Sequence, residues 1–240
     1  MENNNFLLAK FGEKENLEAL KNGQLYFTPV QIFRNDGTDY RGDKYEGAKS
    51  LNPKKISICD DNGKDFFKDL GIPRPDSAME FIQDDEDTFM FCASIISKEI
   101  LVKDEKENSY SFTDTYKDKM RNFGDYVLIF QSAEIIDHIK EEKKIFEPKI
   151  SWEAGAITYR EEGVYDDENH TENNSSNIYD RYFFKEEPFK IQNEWRLIVD
   201  GVDGPIEKNH NNGLLIPIKE LQWAQLYDSD SFLNTFSITE

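Results

Sequence analysis

Apolar and polar positions recur along this chain with two periods, and the switches between them mark its elements. Phe6 to Phe11 is an apolar stretch that reads as a first strand. From Glu13 to Asn22 the period is helical: acidic residues open it, Lys21 closes it, Leu17 and Leu20 share one face, and Gly23 supplies the stop. Gln24 to Thr28 alternates, with Leu25 and Phe27 on one face and Tyr26 and Thr28 on the other, until Pro29 ends the strand. Residues 34 to 50 are polar and Gly-containing and read as a loop with one helical turn. Residues 60 to 87, with Pro73, Pro75 and an acidic run, read as a surface excursion interrupted by a short amphipathic helix over Ala78 to Ile82.

Thr88 to Ala93 has the unbroken apolar character of a buried strand, and Lys103 to Ser109 reads as a charged loop. Asp125 to Phe130 is the clearest core strand, leading into a helix that Ser132 can cap and that turns Ile135, Ile136 and Ile139 inward. A strand is expected near Gly155 to Tyr159, a polar excursion over 161 to 177, and a helix from Ile178 to about Lys185. Asn193 to Val199 alternates visibly: Trp195, Leu197 and Val199 share one face, and Glu194, Arg196 and Ile198 the other. Leu214 to Ile218 and Trp223 to Tyr227 read as the last strands. Strands that follow one another without regular βαβ crossovers predict an α+β fold, a mixed and mainly antiparallel sheet with flanking helices in one domain over 1–240.

Composition narrows the function. The 48 Asp and Glu outnumber the 29 Lys and Arg, giving a formal charge of −19. Such a field repels phosphate backbones, so general DNA or RNA binding is disfavoured, while a small nucleotide met by a few converging arginines, or a basic protein groove, is compatible with it. Cys59 and Cys92 lie in short apolar runs and read as reduced, buried thiols. The start carries no basic and apolar leader, and no apolar run is long enough to span a bilayer, so a cytoplasmic location away from membranes is expected.

Signatures for phosphate loops, dinucleotide folds, nucleophile elbows and zinc hydrolases are absent. His138 lies beside the apolar face of its helix, and His170 and His210 fall in loops, so no metal is expected. The run Asn35, Asp36, Asp39, Asp43, Glu46 places Glu46 at the twelfth position of a calcium-type loop, but Gly37 and Tyr40 stand where an oxygen ligand and the turn glycine are needed. The most suggestive chemistry is Glu194 with Arg196, beside Tyr26, Lys10 and the 34–46 loop. A carboxylate held on a strand whose other face is apolar can hydrogen-bond a sugar hydroxyl and stabilise positive charge at an anomeric carbon. The plainer reading is a Glu–Arg pair on a solvated sheet face, which contributes little.

Lys10-Phe11, the segment Lys21-Asn22-Gly23-Gln24-Leu25-Tyr26-Phe27, and Phe33-Arg34-Asn35-Asp36 open the chain, and Gln192-Asn193-Glu194-Trp195-Arg196 comes late. This set resembles a group of uncharacterised bacterial and phage proteins with an Asn-Gly-x-Leu-Tyr-Phe opening and a late Gln-x-Glu-Trp-Arg strand. The group in turn resembles the ADP-ribosyltransferase superfamily in layout. The resemblance implies an NAD-using enzyme, an ADP-ribosyltransferase or NAD glycohydrolase, with a role in phage defence. Glu194, Tyr26 and Lys10 would be catalytic, and Arg34, Arg41 and Arg196 would meet the cofactor. Lys10 stands where that superfamily has His or Arg, and it donates without the guanidinium fork. The alternatives for Arg34 and Arg41 are pairs with Asp36, Asp43 or Glu46. The rival function is a non-catalytic binding protein: a sensor of a phage component or nucleotide, or an acidic inhibitor that imitates nucleic acid.

Overall fold

The computed structural model describes residues 5–38, 43–51, 59, 63–65, 71, 73, 78–80, 87–142, 151–161, 179–200 and 212–239. In chain order the elements are β1 (Leu7–Gly12), α1 (Lys14–Lys21), β2 (Gln24–Pro29), α2 (Val30–Asn35), β3 (Lys49–Leu51), β4 (Ala78–Glu80), β5 (Phe89–Ile95), β6 (Leu101–Asp104) and β7 (Ser109–Phe112). There follow α3 (Asp114–Met120), β8 (Tyr126–Gln131), α4 (Ser132–Glu142), β9 (Ser151–Ala156), β10 (Thr158–Arg160), β11 (Phe184–Glu186), β12 (Glu194–Asp200), β13 (Leu214–Pro217), β14 (Gln225–Asp228), α5 (Ser229–Thr235) and β15 (Ile238–Thr239).

Eight strands make the main sheet, in the order β13-β2-β5-β1-β8-β14, with β12 on the other side of β5 and β9 beyond β12. Each of these pairs is antiparallel, in keeping with the α+β class expected from sequence. Strand β5 is the hinge of the arrangement. Its C-terminal half pairs with β1, through Ala9↔Ser94 and Leu8↔Ile95. Its N-terminal end pairs with β2, through Thr28↔Met90 and Pro29↔Phe89. Between Met90 and Ser94 the partner changes, so the sheet splits at Cys92.

The pleat sends alternate side chains to two different layers. One face carries Leu8, Leu25, Phe27, Phe91, Leu128, Phe130, Trp195, Leu197 and Val199, and packs against Leu17 and Leu20 of α1 and Ile135 and Ile139 of α4. Phe91 sits edge-on to Phe27 and Trp195 at centroid separations of 6.3 and 6.5 Å. The other face is split in two. Ala9, Phe11 and Val127 pack under Tyr116 and Met120 of α3 and Phe232 and Leu233 of α5. Met90 and Ile198 pack with Val30, Tyr179 and Tyr182.

Several expectations change. Ala78–Glu80 is a strand rather than the start of a helix, because Lys49–Leu51 pairs with it residue for residue. Lys103, Asp104 and Ser109 belong to the β6–β7 hairpin, leaving only 105–108 as its turn. The helix expected over Ile178–Lys185 is a 3-10 turn at Asp180–Phe183 followed by β11, which runs parallel to β10. The strand near Gly155–Tyr159 is two strands, β9 and β10, joined at Ile157. Cys59 is exposed rather than buried, on an isolated bridge to Asp65, while Cys92 is partly buried; both are free thiols. Most of the expected excursions at 60–87 and 161–177 lies outside the described residues.

Gly124 has φ +148, and a Cβ there would lie 2.5 Å from the Gly12 backbone. Gly124→Ala is expected to lower the unfolding free energy by about 1–3 kcal/mol. Gly37→Ala, which meets nothing within 4 Å, is expected to stay within about 0.5 kcal/mol of wild type. Urea denaturation of both variants checks this.

Candidate functional site

Of the residues singled out by sequence chemistry, Glu194, Arg196 and Glu46 gather at β12, but in an arrangement the alternation did not anticipate. Glu194 and Arg196 do point away from Trp195, Leu197 and Val199, as expected. They face neither a cleft nor solvent. Arg196 is 0% exposed and Glu194 6%. Strand β12 has neighbours on both edges, and its polar face is closed by Tyr179, Tyr182 and the turn around Glu46.

Burial of a guanidinium is tolerated only when its donors are satisfied and its charge is matched. Arg196 Nε donates to Glu194 Oε1 at 2.6 Å. Nη1 and Nη2 donate to Glu46 Oε1 and Oε2, each at 2.6 Å, a bidentate fork. Nη1 also donates to the Tyr182 carbonyl. The second oxygen of Glu194 accepts from Lys185 Nζ at 2.8 Å, and Lys185 donates to Gln192 Oε1 at 2.9 Å as well. Two acids and two bases therefore form a neutral, solvent-excluded tetrad. Glu46 is 1% exposed, and its backbone carbonyl accepts from Arg34 Nε at 2.6 Å, so the 43–48 turn is fixed both inside and out.

Further hydrogen bonds run along the same sheet face. The Tyr116 hydroxyl donates to Ser94 Oγ, and Ser94 Oγ donates to the Gln192 carbonyl, both at 2.8 Å. Tyr159 accepts the Glu194 backbone N–H at 2.9 Å. Asn193, at φ 43, donates through Nδ2 to the Ile95 carbonyl and to Ser97 Oγ. This polar seam lies between the two apolar clusters of that face.

The electrostatics follow from who holds what. Burial pushes the Glu194 carboxyl up, but Arg196 and Lys185 together outweigh it and hold the group well below the ordinary carboxylate range. Burial also raises Glu46, and there it prevails over the attraction of Arg196, which Glu46 shares with Glu194, and of the more distant Lys185. Burial and the Glu194 charge push the Cys92 thiol well above its usual value, and do the same to the Tyr159 phenol. Neither group is poised to act as a nucleophile or base.

Lys10 and Tyr26 do not join Glu194. Lys10 follows Leu8 in the pleat and lies on the Trp195 face, with its ammonium 4.6 Å from the centre of the Phe91 ring. It donates at 2.7 Å to the Cys92 carbonyl, at the point where β5 changes partner. Tyr26 shares the Glu194 face but sits two strands away on β2, which meets β5 only through Thr28 and Pro29. Its phenol lies so close to Gly213 that a Cβ there would come within 2.1 Å of the hydroxyl oxygen. Arg41 lies outside the described residues.

The expected convergence of Lys10, Tyr26 and Glu194 on one concave site is therefore corrected: β12 is buried on both faces, and the pleat separates Lys10 from the acid. The solvated Glu–Arg pair is corrected with it. Nor, among the described residues, do Glu194 and Arg196 fit NAD as substrate. Both Glu194 oxygens and the Arg196 guanidinium are occupied by buried partners, and Arg34 Nε is engaged with a backbone carbonyl. Lys185, Gln192, Tyr159 and Ser94 were not anticipated. Nothing in the sequence around Lys185 marks it as buried.

No family model matches the chain, and neither a curated protein nor a solved structure matches it. Among the described residues no group of three or more His, Cys, Asp or Glu is placed to hold a metal ion, and no helix is long and apolar enough to cross a membrane.

Removing the shared cation should expose the cost of the two acids: Arg196→Met is expected to lower stability by about 3–5 kcal/mol. The acids themselves titrate with opposite signs. Glu194, depressed in the folded state, contributes stability that is present above its unfolded pKa and lost as pH falls through its lower folded value. Glu46, raised, contributes stability that is present below its unfolded pKa and lost as pH rises through its folded value. As pH falls from neutrality toward the ordinary carboxylate range, the stability of wild type relative to Glu46→Gln should therefore grow. Relative to Glu194→Gln it should stay level down to the ordinary carboxylate range and then fall progressively toward strongly acid pH. Urea midpoints across that range check both signs.

Proposed function

We propose that the chain is a non-catalytic binding protein that offers an acidic surface to a basic protein partner, in the manner of a nucleic-acid mimic. One observation carries this reading: the carboxylate best suited to catalysis has both oxygens committed to buried cations. A group held that way orients a strand and gives nothing to a substrate. The tetrad also bears on charge. Its two acids and two bases cancel, so the formal −19 is carried entirely by the rest of the chain. A field of that size draws a cationic groove toward the protein and weakens with salt.

The test uses a lysine- and arginine-rich duplex-binding domain loaded with a fluorescent duplex. The protein is expected to displace the duplex at low ionic strength, with apparent affinity falling at least about tenfold at high salt. Glu194→Gln, where it remains folded, should displace as well as wild type, and neither should release nicotinamide from NAD. Release by wild type that is lost in Glu194→Gln would replace this reading with the ADP-ribosyltransferase-like one. Displacement indifferent to salt would remove its electrostatic basis.

A further inference from the structure

Strand β14 closes one end of the main sheet, and its outer edge is open among the described residues. The Ser229 N–H donates to the Asp125 carbonyl at 2.9 Å, which continues the β14–β8 ladder by one step. By that parity the backbone groups of Tyr227 face β8. The Leu226 N–H and C=O, and the Asp228 N–H, point outward. Natural sheets guard such edges with Lys, Pro, a bulge or a cover. Gln225, Leu226, Tyr227 and Asp228 contain no Lys or Pro, and their register with β8 is unbroken. By contrast β13, at the other end of the same strand path, carries Pro217.

Next to this edge stands the most exposed large apolar side chain among the described residues, Trp223, at 74%, with Tyr227 at 42% on the strand itself. Tyr227 is braced by stacking on Phe232, at a centroid separation of 5.6 Å. The charged groups around them are mostly acidic. Glu220, Asp228 and Asp230 are exposed, Lys219 is tied to Glu141, and Arg121 is divided between Asp118 and Asp230. Asp228 Oδ1 also caps α5 through the Ser231 N–H at 2.8 Å. A second copy of this chain would bring its own −19 to the same edge, so self-pairing is opposed.

We propose that the β14 edge is the docking site for an extended, basic segment of a partner protein, which adds a strand through Leu226 and Asp228 and lays a side chain on Trp223. This deepens the acidic-binding reading above and rests on it. Main-chain hydrogen bonds would supply affinity whatever the partner's sequence, and the carboxylates would select lysine and arginine. Trp223 would act as the anchor, stacking on an apolar or cationic side chain.

The probe is a short synthetic peptide alternating lysine with valine, with its glutamate counterpart as control. Hydrogen exchange at the Leu226 and Asp228 amides is followed alongside affinity. Slowed exchange at both amides is expected with the lysine peptide at low salt, and Trp223→Ala, a solvent-exposed change, should weaken binding about tenfold or more. If the lysine peptide binds while those amides exchange as before and Trp223→Ala binds equally, the edge assignment falls but the acidic-surface reading stands. No binding of the lysine peptide at any salt concentration overturns both. Equal binding of the glutamate peptide, or concentration-dependent protection of Leu226 without any peptide, overturns the basic occupant.

Discussion

A guanidinium sealed from water imposes its needs on everything within reach. Arg196 sits on a strand with neighbours on both edges and is 0% exposed, so its donors and its charge must be met by protein. Glu194 alone, two residues away on the same face, supplies one oxygen. The rest comes from other segments: Glu46 from a turn 150 residues earlier, and the Tyr182 carbonyl from a 3-10 turn 14 residues earlier. That requirement accounts for two local features. The 43–48 turn is drawn onto the sheet with Asp43 and Glu46 both buried. The Tyr182 carbonyl points to Arg196, and the turn that carries it gives way to β11 rather than continuing as a helix.

The split of the sheet at β5 has a similar logic. Where the partner strand changes from β1 to β2, the Cys92 carbonyl faces a gap in the ladder, and Lys10 supplies the donor while its charge rests over Phe91. Lys10 thus closes the sheet on the face away from Glu194. Residues that look catalytic when aligned by order in the chain serve, in three dimensions, to satisfy backbone and charge on opposite sides of one sheet.

Much of this architecture was legible in the amino-acid pattern, and the limits are physical. The strand alternation at Trp195, Leu197 and Val199, the Gly23 stop and the Ile135–Ile139 helix face were readable because local period and core burial agree. The burial of Glu194 and Arg196 was not. A charged face on an alternating strand reads as solvated unless its counter-ions are known, and Glu46 and Lys185 are joined to it only by the tertiary fold. Short elements failed for a related reason. Ala78–Glu80 and Phe184–Glu186 are strands only because Lys49–Leu51 and Thr158–Arg160 pair with them, information that no window of their own sequence contains.

The organisation of the sheet rests on the Glu46–Arg196 fork being a strong internal coupling rather than a pair of surface charges that happen to meet. A double-mutant cycle with Glu46→Gln and Arg196→Met, read by urea unfolding at neutral pH, isolates that coupling. The buried geometry predicts an interaction of about 2–3 kcal/mol. A value within about 0.5 kcal/mol of zero would mean that the two groups are independently solvated, and the organising role assigned to Arg196 would be wrong.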